Sequence, residues 1–514
     1  MPNLRSARHR STIFIALCSL VLIDGSALTA HAGDHHKSDQ QAAQAEVKRE
    51  PKTFTTSHSG TFNGTSVSYE AVAGETFLRG DDGAPTASIF SIAYLKTDVE
   101  DPTERPVTFL FNGGPGSASL WLHMGAFGPK RVAIPSDARD DGAPPYPLVD
   151  NPDALLDVTD IVFIDPVGTG FSHALGDKKD EDFWGVHQDA ASVAQFIRQW
   201  ISKHNRWNSP KYLGGESYGT LRSAAVAKEL EGQYNDVALN GLILISTVLD
   251  MHHDVTDPGN DMAYVMLLPT MAATAWYHDA LDPKPDDLAA FLDEARQFAA
   301  GPYLTALMQG NRLAADEREA MIGQLARFTG LSQGYLDDAN MRVSLPRFMK
   351  ELLRDRGKVV GRLDSRYIGE DIDDAGSRPE TDPSFVAIDG AYTAAINHYM
   401  RADLDVAMDR EYEVISGLGA KWDWTVDNGS RFSYNLAPFI GSAMRHNTDL
   451  RVFNAAGYYD FATPFFSAEH SLTRNGVVPE RITFKYYQAG HMMYVHEPSL
   501  DALLADVRQF IEAR

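Results

Sequence analysis

The sequence predicts an α/β protein: a mostly parallel sheet with helices on both faces and a largely helical cap insertion. Three observations carry this. Short apolar runs at 107–111 and 160–164 end in glycine- or proline-rich turns, as strands buried on both faces do. Stretches with helical spacing, 188–203 and 217–230, alternate with strand-like ones at 211–213 and 241–245. A serine between two glycines sits at the turn from one strand into the next helix, and open parallel sheets bind ligands at the carboxyl ends of their strands.

Taken in chain order, the N-terminus reads as an export signal of residues 1–32. Arg5, Arg8 and Arg10 precede an apolar run at 13–23, and Ala30-His31-Ala32 is a small-x-small cleavage site. The run is too short for a spanning helix, which needs ~20 apolar residues, and Asp24 ends it. The mature chain is therefore expected in the periplasm or outside the cell, with no membrane attachment. The single cysteine, Cys18, lies in this leader, so the mature chain is left without disulfides, thiol nucleophile or thiolate metal site. Residues 33–52 read as a polar flexible tail, and His35 and His36 belong to it rather than to a metal site.

From residue 53 the pattern alternates, and 65–70 and 87–94 look like an antiparallel start to the sheet. The first part of the core spans 53–250. Residues 251–440 break the strand–helix rhythm. Helical patterns at 286–298, 314–328 and 344–353 and an acidic, proline-containing loop at 370–382 make this the cap insertion. Core character returns over 441–514, with strands at 450–454 and 481–487 and a closing helix at 499–513. The whole is 44% hydrophobic and 23% charged, an ordinary globular mix. Its net charge of −24 repels phosphate backbones, and no basic stripe argues for nucleic acid.

The strongest local signal is Gly215-Glu216-Ser217-Tyr218-Gly219. This is G-x-S-x-G between a strand and a helix, where the glycines permit a tight turn and hold the serine at its tip. An ordinary glycine-flanked turn would give the same five residues, so partners decide. A serine hydroxyl needs a base to take its proton. Asp460 and His491 each follow a strand in the C-terminal quarter, in the order Ser, Asp, His, with room for one helix between them. Ser217 is the expected nucleophile, His491 the base and Asp460 the group that fixes its tautomer. Asn112-Gly113-Gly114-Pro115-Gly116 follows the 107–111 strand and lets the backbone approach a ligand closely. The expected oxyanion donors are the N–H groups of Gly114 and Tyr218. A phosphate loop is the competing reading, but the Gly-Lys-Ser/Thr ending is missing. This chemistry calls for no cofactor and no metal.

Together these motifs resemble the serine carboxypeptidase family, peptidase family S10, whose fold is the α/β-hydrolase fold. The matching text is Asn112-Gly-Gly-Pro-Gly-Ser117, Asp165-Pro-Val-Gly-Thr-Gly-Phe-Ser172, Gly215 to Gly219, Asp460 and Gly490-His491-Met492, with Asn151-Pro152 also similar. The resemblance covers roughly 53–245 and 450–514, and Trp184-Gly185-Val186 and 206–211 look like bacterial members. It implies a peptide substrate with a free C-terminus, from which single residues are released. It also implies that Asn112, Gly113 and Glu216 bind the terminal carboxylate, Glu216 as a donor when protonated. The family usually pairs that glutamate with a second one; counting from Asn112 without gaps, the position is Ala126. Two close carboxyls hold a proton between them, so Glu216 without its partner is expected to have a lower pKa.

Fold and triad do not fix the substrate, so esterase, amidase or acyltransferase activity stays open beside carboxypeptidase activity. A proline-releasing aminopeptidase shares the Gly-Gly-Pro-Gly loop, but Asn112 and Glu216 argue against it. A non-catalytic binding protein would have no need of the three triad residues. A zinc hydrolase has only His252-His253-Asp254, without a helix-borne ligand motif, and that cluster reads as a surface or cap feature. Tyr399 and Trp422-Asp423-Trp424 are expected in the core rather than in the pocket wall.

Overall fold

A computed structural model describes residues 49–231, 236–253, 255–426 and 434–513. The expected leader with Cys18, the tail up to residue 48 with His35 and His36, and Asp254 lie outside the described residues.

The strands, in chain order, are β1 (Thr53–Phe62), β2 (Thr65–Arg79), β3 (Pro85–Lys96), β4 (Val107–Phe111), β5 (Lys130–Val132), β6 (Leu148–Asp150), β7 (Asp160–Asp165), β8 (His173–Ala174), β9 (Lys211–Ser217), β10 (Gly241–Thr247), β11 (Val359–Val360), β12 (Ile368–Gly369), β13 (Arg451–Gly457) and β14 (Ile482–Tyr487). The main sheet runs β1-β2-β3-β7-β4-β9-β10-β13-β14, with β8 beside β3. β1, β2 and β3 pair antiparallel, and β3 joins β7 antiparallel. From β7 onward every pairing is parallel. This is the mostly parallel sheet the sequence predicts, with the antiparallel start where the alternation placed it.

Side-chain alternation explains why these short runs are continuous in hydrophobicity. On β4, Phe109 and Phe111 enter the apolar layer built with helices Val186–Lys203 and Tyr218–Leu230, while Leu110 enters the opposite layer with helix Glu497–Glu512. On β10, Leu242 and Leu244 face the first layer and Ile243 and Ile245 the second. Both faces are covered, so both parities are apolar.

The stretch between β10 and β13 carries most of the helices without a strand partner in the main sheet. Asp261–Tyr277, Leu288–Phe298 and Ala315–Thr329 pack into a third apolar cluster. The first of these gave no periodic signal, because it is buried almost all round. Residues 371–382 form no helix or strand, as their acidity implied. Helix Ala437–His446 crosses the boundary expected at 440. Its Ala437, Ile440, Ala443 and Met444 join the layer under helix Tyr218–Leu230, so this helix packs with the core.

Candidate active site

The parallel strands present their carboxyl ends along one edge of the sheet. Asn112 follows β4, Ser217 ends β9, Asp460 lies three residues past β13 and His491 four past β14. β9 pairs with both β4 and β10, and β10 with β13, so these loops meet over the middle of the sheet.

Ser217 sits at φ 60°, ψ −129°, between strand and helix. A non-glycine residue in this region is strained and is held there by its surroundings. The neighbouring glycines show why the turn tolerates nothing larger. A Cβ on Gly113 would lie 2.5 Å from the Tyr218 nitrogen and 2.6 Å from the Glu216 oxygen. The glycine loop therefore runs directly against the Ser217 turn, bringing the Gly113–Gly114 backbone alongside the Tyr218 amide. Arg222 fixes this contact from below. Its Nε donates to Asp189 Oδ2 at 2.7 Å and its Nη1 donates to the Asn112 carbonyl, with the guanidinium over the rings of Phe111 and Tyr218. Asp165 caps the other side, where Oδ1 accepts from Ser119 N at 2.8 Å. Burial pushes that carboxyl up to about 6.

His491 and Asp460 are brought together as the spacing predicts, with one helix, Phe465–Leu472, between β13 and β14. His491 Nδ1 lies 2.8 Å from Asp460 Oδ2. Asp460 is fully buried and is held by Ala462 N at 2.7 Å and Thr463 N at 3.0 Å on Oδ1, and by the Thr463 hydroxyl at 2.6 Å on Oδ2. Asp460 accepts a hydrogen bond from Nδ1–H, which leaves the Nε2 lone pair for the cleft. Burial drives the ring's pKa down, but the Asp460 charge and hydrogen bond and the Glu216 charge outweigh it, and His491 ends above the usual histidine value. Ser217 and His491 line one cleft of about 400 Å³. Among the described residues no hydrogen bond joins Oγ to the ring, a bond that unliganded sites of this kind often form only with substrate present.

Glu216 and Asn112 are buried in the wall of the same cleft. Asn112 Nδ2 donates to Glu216 Oε1 at 3.1 Å, and the Tyr494 hydroxyl donates to Oε2 at 2.7 Å. Without a glutamate at position 126, Glu216 still stands above the ordinary carboxylate value. Burial pushes the carboxyl up to about 7, against the opposing pulls of His491, Tyr494 and Asn112. Desolvation is the main cause of the rise, and the Asp460 charge adds to it. Ala126 is fully buried in the turn His123–Phe127, with Asn151 donating to its carbonyl at 2.6 Å.

The cap region completes the site in a way the sequence did not reveal. Residues 361–366 thread between the aspartate and histidine loops. His491 N donates to Leu363 O at 2.6 Å, Phe461 N to Arg362 O at 3.1 Å and Ser365 N to Tyr459 O at 2.9 Å. Asp364 Oδ2 accepts from Gly490 N at 3.1 Å while Arg366 closes a buried ion pair on the same carboxylate. On the other side, Ser416 N donates to Gly116 O and Gly170 N to Glu413 O, so 413–416 lies along the glycine loop and the Asp165 turn. Trp121, Phe385 and Ile415 give the cleft its apolar wall, and Arg362 and Asp382 lie at it as well.

Tyr399 is core, hydrogen-bonded to Tyr94, and Trp422 is buried with its Nε1 donating to the Tyr218 hydroxyl at 3.0 Å. His252 is exposed, but His253 is not a surface residue: it is buried against Ser467 and His470. Among the described residues no group of three metal-ligating side chains is present. No described helix is long and apolar enough to cross a membrane. Thr463 had a local signal, an Asp followed three residues on by a hydroxyl, whereas Tyr494, Arg222 and Asp364 had none.

Among solved structures, the chain is similar to Kex1Δp, a prohormone-processing carboxypeptidase from Saccharomyces cerevisiae. The TM-score is 0.51 at 15% identity, covering 87% of this chain and 91% of that one, a likeness of fold. Among curated relatives it is similar to serine carboxypeptidase-like 13 of Arabidopsis thaliana, 29% identical over 163 residues, covering 30% of this chain and 35% of that protein. Serine carboxypeptidase-like 7 of the same plant is 31% identical over 147 residues, covering 27% and 31%. The chain thus spans about a third of the length of these relatives, which are plant rather than bacterial proteins. Residues 85–294, which carry the glycine loop, the Asp165 turn and the Ser217 elbow, match the model of the serine carboxypeptidase family, and Asp460 and His491 lie beyond the matched stretch.

Proposed function

We propose that the chain is a serine-type carboxypeptidase that releases C-terminal residues from peptides, and that Ser217, His491 and Asp460 are its triad. Ser217 Oγ attacks the carbonyl carbon of the last peptide bond as His491 Nε2 takes its proton. The N–H groups of Gly114 and Tyr218 receive the developing oxyanion, each donor contributing ~3 kcal/mol to the transition state. His491 then protonates the leaving amine, the C–N bond breaks, and an acyl-enzyme on Ser217 remains. A water, deprotonated by His491, releases it.

The observation that carries the peptidase reading is the buried Asn112–Glu216 pair beside Ser217. A carboxyl kept protonated by burial donates to a substrate carboxylate, and an ionised one repels it. The expected export signal at 1–32 supports an exported protein acting on peptides outside the cytoplasm, the resemblance of 184–186 and 206–211 to bacterial family members supports a bacterial type, and the net charge of −24 speaks against nucleic-acid partners. The test compares an N-blocked dipeptide acid with its C-terminal amide and ester, for the natural chain and Ser217→Ala. We expect the acid to be cleaved best and Ser217→Ala to lose at least ~10⁴-fold in kcat. Turnover of the ester alone would assign an esterase or acyltransferase instead.

A further inference from the structure

Glu216 is surrounded by hydrogen-bond donors. Its Oε1 accepts from Asn112 Nδ2 and its Oε2 from the Tyr494 hydroxyl. Asn112 has no freedom to turn its amide round, because its Oδ1 already accepts from Leu122 N at 3.0 Å. The Tyr494 ring packs on the backbone of Gly125, where any Cβ would collide with it. Burial holds the phenol proton on its oxygen well above the usual tyrosine range, and among the described residues Glu216 is the acceptor it reaches. Glu216, Asn112 and Tyr494 are each less than 5% exposed.

A protonated Glu216 therefore meets the Asn112 amide, which only donates to it, and a phenol whose own proton reaches no other acceptor among the described residues. A second carboxylate in the place of Tyr494 would take the proton and share it. While the phenol keeps its proton directed at Oε2, the outlet for the glutamate's proton is the cleft that Glu216 lines with Ser217. We propose that Tyr494 is a specificity-determining residue: by donating to Glu216 Oε2 it directs the Glu216 proton to the substrate carboxylate and sets the pH above which that hydrogen bond is lost. The proposal rests on the reading of Glu216 as the carboxylate binder. Because the phenol favours ionised Glu216, removing it should let the glutamate keep its proton to higher pH. The other titratable groups that face Glu216 are His491, Asp460 and Tyr392, and a change at Tyr494 leaves them in place.

The experiment follows kcat/KM for the dipeptide acid and its ester from acidic to alkaline pH in the natural chain, Tyr494→Phe and Glu216→Gln. The acid-to-ester ratio is expected to fall along an alkaline limb that Tyr494→Phe moves upward by ~1 pH unit. Glu216→Gln, whose amide always donates, removes the limb. A limb that stays put or moves down in Tyr494→Phe overturns the role of Tyr494 and leaves Glu216 in its role. No acid preference in the natural chain, or a limb that survives Glu216→Gln, overturns the Glu216 reading itself. If Tyr494→Phe does not fold, calorimetry of an N-acetyl amino acid binding to Ser217→Ala, in two buffers of different ionisation heat, decides the matter. One proton taken up per ligand above the midpoint is expected, and no uptake overturns the Glu216 reading and with it the proposal that rests on it.

Discussion

The site has two halves of different origin. The strand-end half holds Asn112, Glu216, Ser217, Asp460 and His491, each at the end of a core strand. The insertion half holds 361–366 and 413–416, which carry no expected chemistry yet hydrogen-bond the loops that do. The first half is written in short motifs because tight turns demand particular residues. The second works mainly through main-chain donors and acceptors, which almost any residue supplies, with the Asp364 carboxylate as the exception. What this teaches is that a cap can position a candidate reacting group without offering one: Leu363 O and Asp364 Oδ2 hold the two backbone nitrogens of Gly490-His491.

Three changes break or sharpen the comparison. The largest effect belongs to the strand-end half. Asp460→Asn leaves the loop in place but removes the acceptor for the Nδ1 proton, and should lower kcat by ~10⁴-fold with little change in KM; a loss below tenfold would take Asp460 out of its role. Next comes the insertion half. Asp364→Asn breaks a buried ion pair, which typically costs ~3–5 kcal/mol, and loosens the histidine loop. Thermal unfolding should shift down, and kcat on the ester should fall about 10- to 100-fold. A lower melting temperature with kcat unchanged would make the clamp purely structural and confine catalysis to the strand ends. The smallest effect concerns Glu216. Its ordinary value of 4.5 is raised to about 7 in the folded chain, first by burial. Between those values the native state keeps a proton that the unfolded chain has lost. The stability it contributes is therefore full below 4.5 and fades as the pH rises through about 7. The melting temperature of the natural chain relative to Glu216→Gln should decline across that window; a rising difference would mean that the donors, not burial, dominate.

The strand-end half was legible because each signal was local. The run 107–111 is β4 to the residue, and the Ser217 elbow needs glycine at 215 and 219 wherever the rest of the chain goes. Helix Asp261–Tyr277 was hidden for the opposite reason: it is apolar on nearly every side, and periodicity vanishes when no face meets water. Tyr494 lay three residues from His491 in plain view, yet nothing in its spacing says that its hydroxyl reaches a glutamate 278 positions earlier.

By itself the sequence determined the sheet, the candidate residues along its edge and their order Ser, Asp, His, because strand burial and tight turns constrain residue type over a few positions. The tertiary structure alone decided the upward shift of the Glu216 pKa, the partner of its second oxygen and the hold of 361–366 on the histidine loop. These depend on desolvation and on hydrogen bonds between residues far apart in the chain. Such energies arise only once the chain has folded, so they leave no pattern in the order of the residues.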